Sequence, residues 1–253
     1  MKIIISPAMK MEQNLEVFLV KSQPQFLSQT QELIEYLQSC SFEQLKAIWG
    51  SSDRMTKVGQ SQIAAFSLTQ AKTPAIVSYS GIQYQYMAPD LLTEPALNYL
   101  QANVRILSGL YGILRPLDGV CPYRLEMKNK VYGFSQPNLY QFWRSMLADN
   151  LFSEDNVVIN LASKEYSKNI APYVRSKRQM ISIEFQEKKN GNWKTVGVHA
   201  KMARGEMIRF IAENQLTRPE QLQNFHDFGF QFTEQESSAD TYVFRTNFDF
   251  KRR

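Results

Sequence analysis

Short apolar runs of strand character alternate with segments of helical period along the whole chain, and this interleaving constrains the fold more than any other feature of the sequence. Lys2-Ile-Ile-Ile-Ser6 is a β-branched run stopped by Pro7, the pattern of a buried strand leading into a loop. Ala75–Tyr79, Val104–Leu107 and Asn156–Asn160 read as further strands. Met180–Phe185 and Trp193–Val198 flank Asn190-Gly191, a hairpin-turn signal, and Phe228–Thr233 with Thr241–Thr246 predicts a final pair.

Between these runs lie helical segments. Phe26, Leu33, Ile34 and Leu37 share one face over Gln25–Gln38. Ser41–Trp49 begins with a capping box, Ser41 with Gln44, and Gly50-Ser-Ser-Asp53 then breaks the helix. Further helices are predicted over Gln60–Leu68, Asn138–Leu151, Lys164–Ile170 and Lys201–Gln215, and Thr217 with Glu220 forms a second capping-box pattern around Pro219. βα steps and hairpins together predict a single compact α+β or mixed α/β domain with a central mixed sheet, spanning residues 1–253.

Composition narrows the function classes. Apolar residues at 43% and charged residues at 21% are ordinary for a globular protein, and no stretch approaches the roughly 20 apolar residues of a membrane span. The start shows no secretory pattern. Cys40 and Cys121 lie far apart, which gives no disulfide framework and fits a reducing, cytoplasmic setting. His199 and His226 are the two histidines, too few for a His-rich metal site, and neither a metal nor another cofactor is called for. The net charge of +5 permits a nucleic-acid or phosphate partner without requiring one.

Four segments carry chemistry. Leu107–Met127, LSGLYGILRPLDGVCPYRLEM, packs glycines with Arg115, Asp118, Arg124 and Glu126 after a strand. Its arginines could grip a phosphate or carboxylate, with Asp118 or Glu126 as acid or base, or could instead pair with Asp118 and Glu126 to staple the loop. In NVVINLASKEY, Ser163 and Lys164 open a helix after a strand, which suits either anion binding or simple capping. In AKMARGEMIRFI, Lys201, Arg204 and Arg209 form either a binding face or a solvated basic face. Residues 41–68 have the outline of a helix-hairpin-helix element, in which Lys57-Val58-Gly59 carries the second of the two usual hairpin glycines.

Taken together, IIISPA, LSGLYGILRPLD with PYRLEM, LYQFW, NVVINLAS with EY, and ARGEMIRFIAENQLTRPEQL resemble the YaaA family, in order from residue 3 to beyond 220. The resemblance implies one compact mixed α/β domain of unusual fold, with a positively charged cleft and a helix-hairpin-helix element. It implies a cytoplasmic bacterial protein of the hydrogen-peroxide response that binds duplex or distorted DNA without sequence preference and limits iron-dependent oxidative damage. It supplies no catalytic residues. An enzyme acting on a phosphorylated or nucleotide-like small molecule, or on nucleic acid, at the Ser108–Met127 loop is the alternative. On that reading Asp118, Glu126 and Ser163 are the catalytic candidates. Arg115, Arg124, Lys164, Lys201, Arg204, Arg209, Lys57 and Gly59 are the candidates for holding an anion or nucleic acid.

Overall fold

The isoleucine run at residues 3–5 becomes the centre of the sheet. The computed structural model describes residues 1–13 and 17–250. In it β1 (Lys2–Ile5) has a neighbour on each side, and Ile3, Ile4 and Ile5 are all 0% exposed. A strand covered on both faces needs such a continuous apolar run, and each buried side chain contributes about 1.5–3 kcal/mol. The other strands follow in chain order: β2 (Lys10–Met11), β3 (Thr73–Pro74), β4 (Tyr79–Ser80), β5 (Val104–Ser108), β6 (Gly112–Leu114) and β7 (Gly119–Val120). Then come β8 (Val157–Asn160), β9 (Gln179–Lys189), β10 (Asn192–Lys194), β11 (Gln231–Phe232) and β12 (Thr241–Thr246).

Among the described residues, eight of these strands form one mixed sheet in the order β11-β12-β9-β8-β1-β5-β6, with β10 paired to β9. The run β12-β9-β8-β1-β5 is parallel, and β6, β10 and β11 join it antiparallel. Ile3 stands in register with Val104 on one side and Ile159 on the other. The expected mixed α/β domain with a central mixed sheet is what the chain forms.

The helices are α1 (Leu27–Ser39), α2 (Phe42–Trp49), α3 (Asp53–Ala64), α4 (Ala75–Ser78), α5 (Ile82–Met87) and α6 (Glu94–Asn103). Beyond them lie α7 (Leu139–Trp143), α8 (Met146–Glu154), α9 (Lys164–Ser167) and α10 (Gly197–Glu213). The Ser41–Gln44 capping box is present, and Gly50 ends α2 in the left-handed region at φ 54°.

Several local expectations are corrected. Ala75–Tyr79 was expected as a strand, yet Ala75–Ser78 forms one helical turn. Its first N–H groups bond to Asp118 O and Pro116 O, and only Tyr79–Ser80 is extended, against Lys10–Met11. A short apolar run does not by itself separate strand from buried helix. The third helix starts at Asp53, where Lys46 pairs with that carboxylate at 2.7 Å, rather than at Gln60. Asn138–Leu151 is interrupted at Arg144, whose φ of 43° ends α7. The second hairpin strand stops at Lys194, because α10 already begins at Gly197. After α10, Gln221 rather than Glu220 takes the N–H groups of Thr217 and Arg218, at 3.0 and 2.9 Å.

Helix α10 lies against α5, and Gly205 lets it come close. A Cβ at this position would sit 2.4 Å from Gln83 O and 2.9 Å from Met87 N. Gly205→Ala is therefore expected to cost about 1–3 kcal/mol through overpacking. Gly197→Ala, with open space around it, is expected to leave stability unchanged; thermal unfolding of the two variants checks the contrast.

Within β5, Arg105 is 5% exposed. It holds Glu154 through two guanidinium nitrogens, and Lys2 Nζ adds a contact to the same carboxylate at 2.9 Å. Burial alone would raise the Glu154 carboxyl, but the bonds from Arg105 and Lys2 outweigh it and hold it below its ordinary value. Such a group adds stability above its unfolded pKa of 4.5 and gives it up as pH falls through the lower folded value. Glu154→Gln should lower stability near neutral pH, with the gap from the wild type closing in acid; urea titrations at both pH values measure it.

Candidate functional site

Strands β1 and β8 are parallel neighbours, and the chain leaves them in opposite directions across the sheet, from β1 towards β5 and from β8 towards β9. Connections that diverge from adjacent parallel strands open a crevice beyond their carboxyl ends. Ser6 follows β1 there and Ser163 follows β8. The Ser163 N–H donates to Ser6 Oγ at 2.8 Å, the two hydroxyls lie 3.2 Å apart, and Tyr84 OH donates to Ser6 O at 2.9 Å. The crevice widens into a cleft of about 580 Å³, within the range of about 300–1,000 Å³ usual for ligand sites.

One wall is the segment Tyr123–Asn129. It lies directly on the end of β5, because Gly109 has no side chain; a Cβ there would meet Leu125 O at 2.5 Å. Glu126 N–H bonds to Asn129 Oδ1 at 2.7 Å, which turns the segment. Behind it the Tyr123 hydroxyl sits between Ser108 Oγ at 2.6 Å and Tyr79 OH at 2.9 Å. Burial pushes the Tyr123 phenol up to about 12, so it stays protonated near neutral pH. The opposite wall comes from α5 and α10, which bring Gln83, Lys201 and Arg204 to the opening.

The lining is basic: among the described residues Lys10, Arg124, Lys128, Lys201 and Arg204 face Glu126 and Glu165. Lys128 Nζ lies 3.5 Å from Glu126 and 3.6 Å from Glu165. Burial pulls Lys128 down, but the two carboxylates outweigh it and leave the ammonium above its ordinary value. Burial lowers the Arg204 guanidinium and Glu184 opposes the shift; an arginine remains charged regardless.

Three lining side chains also hold buried N–H groups without a partner: Trp49 Nε1, Gln83 Nε2 and Arg204 Nε. An unsatisfied buried donor costs about 1–3 kcal/mol. All three are donors, so the wall behind the cleft surface carries unmet donor capacity and no unmet acceptor.

Of the sequence candidates, the structure brings Arg124, Glu126, Ser163, Lys201 and Arg204 to one cleft. Others lie elsewhere. Arg115 and Asp118 form a staple: Asp118, 1% exposed, accepts from Arg115 N at 2.7 Å and Ser22 Oγ at 2.5 Å, with Arg115 Nε 3.3 Å away. Burial raises the Asp118 carboxyl, and the bonds from Ser22 and Arg115 only partly offset it. Arg209 pairs along its own helix with Glu213 at 2.8 Å, and Lys164 is exposed outside the cleft lining.

Helices α2 and α3 do form an adjacent pair, but the turn between them is Gly50-Ser51-Ser52. Lys57-Val58-Gly59 lies inside α3 rather than in the hairpin, with Lys57 exposed. Gly59 serves packing, since a Cβ there would meet the Trp49 ring at 2.7 Å. Sequence reasoning missed Lys10, Gln83, Tyr84 and Lys128 as site residues. Lys128 directly follows the PYRLEM motif and Lys10 lies two residues after IIISPA, and that adjacency was the available signal; Gln83 and Tyr84 lie in a segment with no motif.

The family model described as peroxide stress protein YaaA matches residues 1–236. A UPF0246 protein of Lactobacillus helveticus is 57% identical over 252 residues, covering 100% of both chains. A UPF0246 protein of Lactobacillus johnsonii is 48% identical over 244 residues, 96% of this chain and 97% of its own. One of Lactiplantibacillus plantarum is 46% identical over 244 residues, 96% of this chain and 98% of its own.

The staple and the cleft separate experimentally. Asp118→Ala leaves the Arg115 N–H and the Ser22 hydroxyl without their acceptor and is expected to cost about 1–3 kcal/mol. Arg115→Ala should leave anion binding in the cleft unchanged, as read by calorimetric titration with inorganic phosphate.

Proposed function

The chain belongs to the YaaA family of peroxide stress proteins, and from that premise we propose that it binds DNA without sequence preference through the basic cleft. It does so as a cytoplasmic protein that helps limit iron-dependent oxidative damage. The observation that carries this reading is the convergence of Arg124, Lys128, Lys201 and Arg204 on one cleft whose buried free groups are N–H donors. Phosphate and base-edge oxygens are the acceptors such a wall recognises.

The shape of the basic surface refines the reading. Arg209, Lys57 and Lys164 do not line the cleft, so the candidate cations that converge, Arg124, Lys201 and Arg204, do so in a recess. A recess admits one nucleotide unit at a time, which favours distorted or opened DNA, whose nucleotides can leave the stack. Trp49 ends α2 and lines the cleft, so the α2–α3 pair stands at its edge. Among the described residues no helix is long and apolar enough to cross a membrane.

A second reading rests on Glu126, which shares the cleft with Ser6 and Ser163. A carboxylate beside an anion-holding arginine can serve as general acid or base on a phosphorylated or nucleotide-like substrate. Glu126→Gln would then abolish turnover while retaining binding.

The test is fluorescence anisotropy with labelled duplex and bubble DNA at two salt concentrations. Lys201→Glu combined with Arg124→Glu should weaken binding sharply, and truncating either residue to alanine should shallow the salt slope by about 0.9 per lost phosphate contact. Affinity and slope equal to those of the wild type would remove the cleft from DNA binding.

A further inference from the structure

Next to the basic cleft lies a second cavity, of about 650 Å³, whose walls include Lys128, Lys130, Tyr132, Phe134, Pro137 and Tyr140. It adjoins the first. Lys128 lines both, and Tyr140 OH donates to the carbonyl of Glu165, a residue of the first cleft, at 2.9 Å. Among the described lining residues the charges are lysines only, and Lys168 Nζ adds a further cation 5.1 Å from the Tyr140 ring.

The local structure holds one ring out to solvent. Val131 is 0% exposed and anchors the loop, while the next residue, Tyr132, is 59% exposed. The Tyr132 carbonyl accepts from Tyr36 OH at 2.7 Å, and Gly133 turns the chain at φ 77°. Beneath, the Phe134 ring lies 4.8 Å from that of Tyr36 and 5.3 Å from that of Phe142, so the floor is packed in place. An exposed aromatic on a fixed loop, between lysines and beside a phosphate-gripping recess, has the elements of a base-stacking platform.

We propose that this cavity is a second nucleotide subsite, in which Tyr132 stacks a base of the single strand emerging from the cleft while Lys128 and Lys130 hold the adjoining phosphates. The proposal rests on the DNA-binding reading of the cleft and adds its ligand class: a strand that is single at the site and longer than one nucleotide. Stacking on a ring is indifferent to base identity, so the subsite lengthens the grip without adding sequence preference.

The experiment compares two probes, a labelled oligothymidylate of about eight nucleotides and thymidine 5′-monophosphate. Tyr132→Ala should bind the oligonucleotide about tenfold more weakly or worse and the mononucleotide as the wild type does. Tyr132→Phe should restore the oligonucleotide, and Lys130→Ala should shallow its salt slope by about 0.7. An oligonucleotide affinity unchanged in Tyr132→Ala overturns the subsite. If the variant combining Lys201→Glu with Arg124→Glu has meanwhile lost binding, the cleft reading stands and the subsite alone fails. If that variant also binds normally, or the wild type binds neither probe, both readings fall.

Discussion

Everything in this molecule is referred to the pairing of β1 between β5 and β8. Its three isoleucines are sealed from solvent, and their registers with Val104 and Ile159 align the ends of three parallel strands. Those ends deliver Ser6, Ser108 and Ser163 to one side of the molecule. A one-residue slip in β1 would invert its side chains and displace Ser6 from Ser163. The apolar burial that makes the core is thus also what sets the polar groups of the cleft in place.

Two glycines complete the cleft by close approach rather than by turning. Gly109 lets the Tyr123–Asn129 segment lie on the end of β5, and Gly205 lets α10 settle on α5. Each brings a cationic wall inward, Arg124 and Lys128 in one case and Lys201 with Arg204 in the other. Of the five cations, Lys10 pairs with Glu12 at 2.6 Å and Lys128 lies between Glu126 and Glu165, which leaves Arg124, Lys201 and Arg204 as the excess positive charge of the lining.

The sequence made the frame legible because β-branched runs and helical spacing are local signals. Ile3–Ile5, the Ser41–Gln44 box and the Asn190-Gly191 turn all formed as their residues imply. The order of strands across the sheet was not legible, since it depends on pairings a hundred residues apart. In the site, Arg124 and Arg115 look alike in sequence, but one faces the cleft and the other is bound to Asp118. Asp118 lies three residues from Arg115 and holds both its N–H and its guanidinium, and Ser22 adds a bond to the same carboxylate from 96 residues away. Gly59 resembled a hairpin glycine because Lys57-Val58-Gly59 carries the second glycine of that turn; the Trp49 ring packed on Gly59 decides its role. Gln83 carries no sequence signal, and only the fold shows it buried in the cleft wall with a free donor.

The cleft draws on residues 6–10, 49, 80–84, 123–129, 163–166 and 201–204. Synthesis supplies these from one end to the other, and domains begin to fold as the chain emerges. Lys201 and Arg204 arrive last, on a helix that must also find α5 before either cation reaches its place. A chain still on the ribosome, surrounded by ribosomal RNA, therefore carries an unfinished recess until about four-fifths of it has been made. Assembly order thus makes this cleft one of the last features of the molecule to be completed.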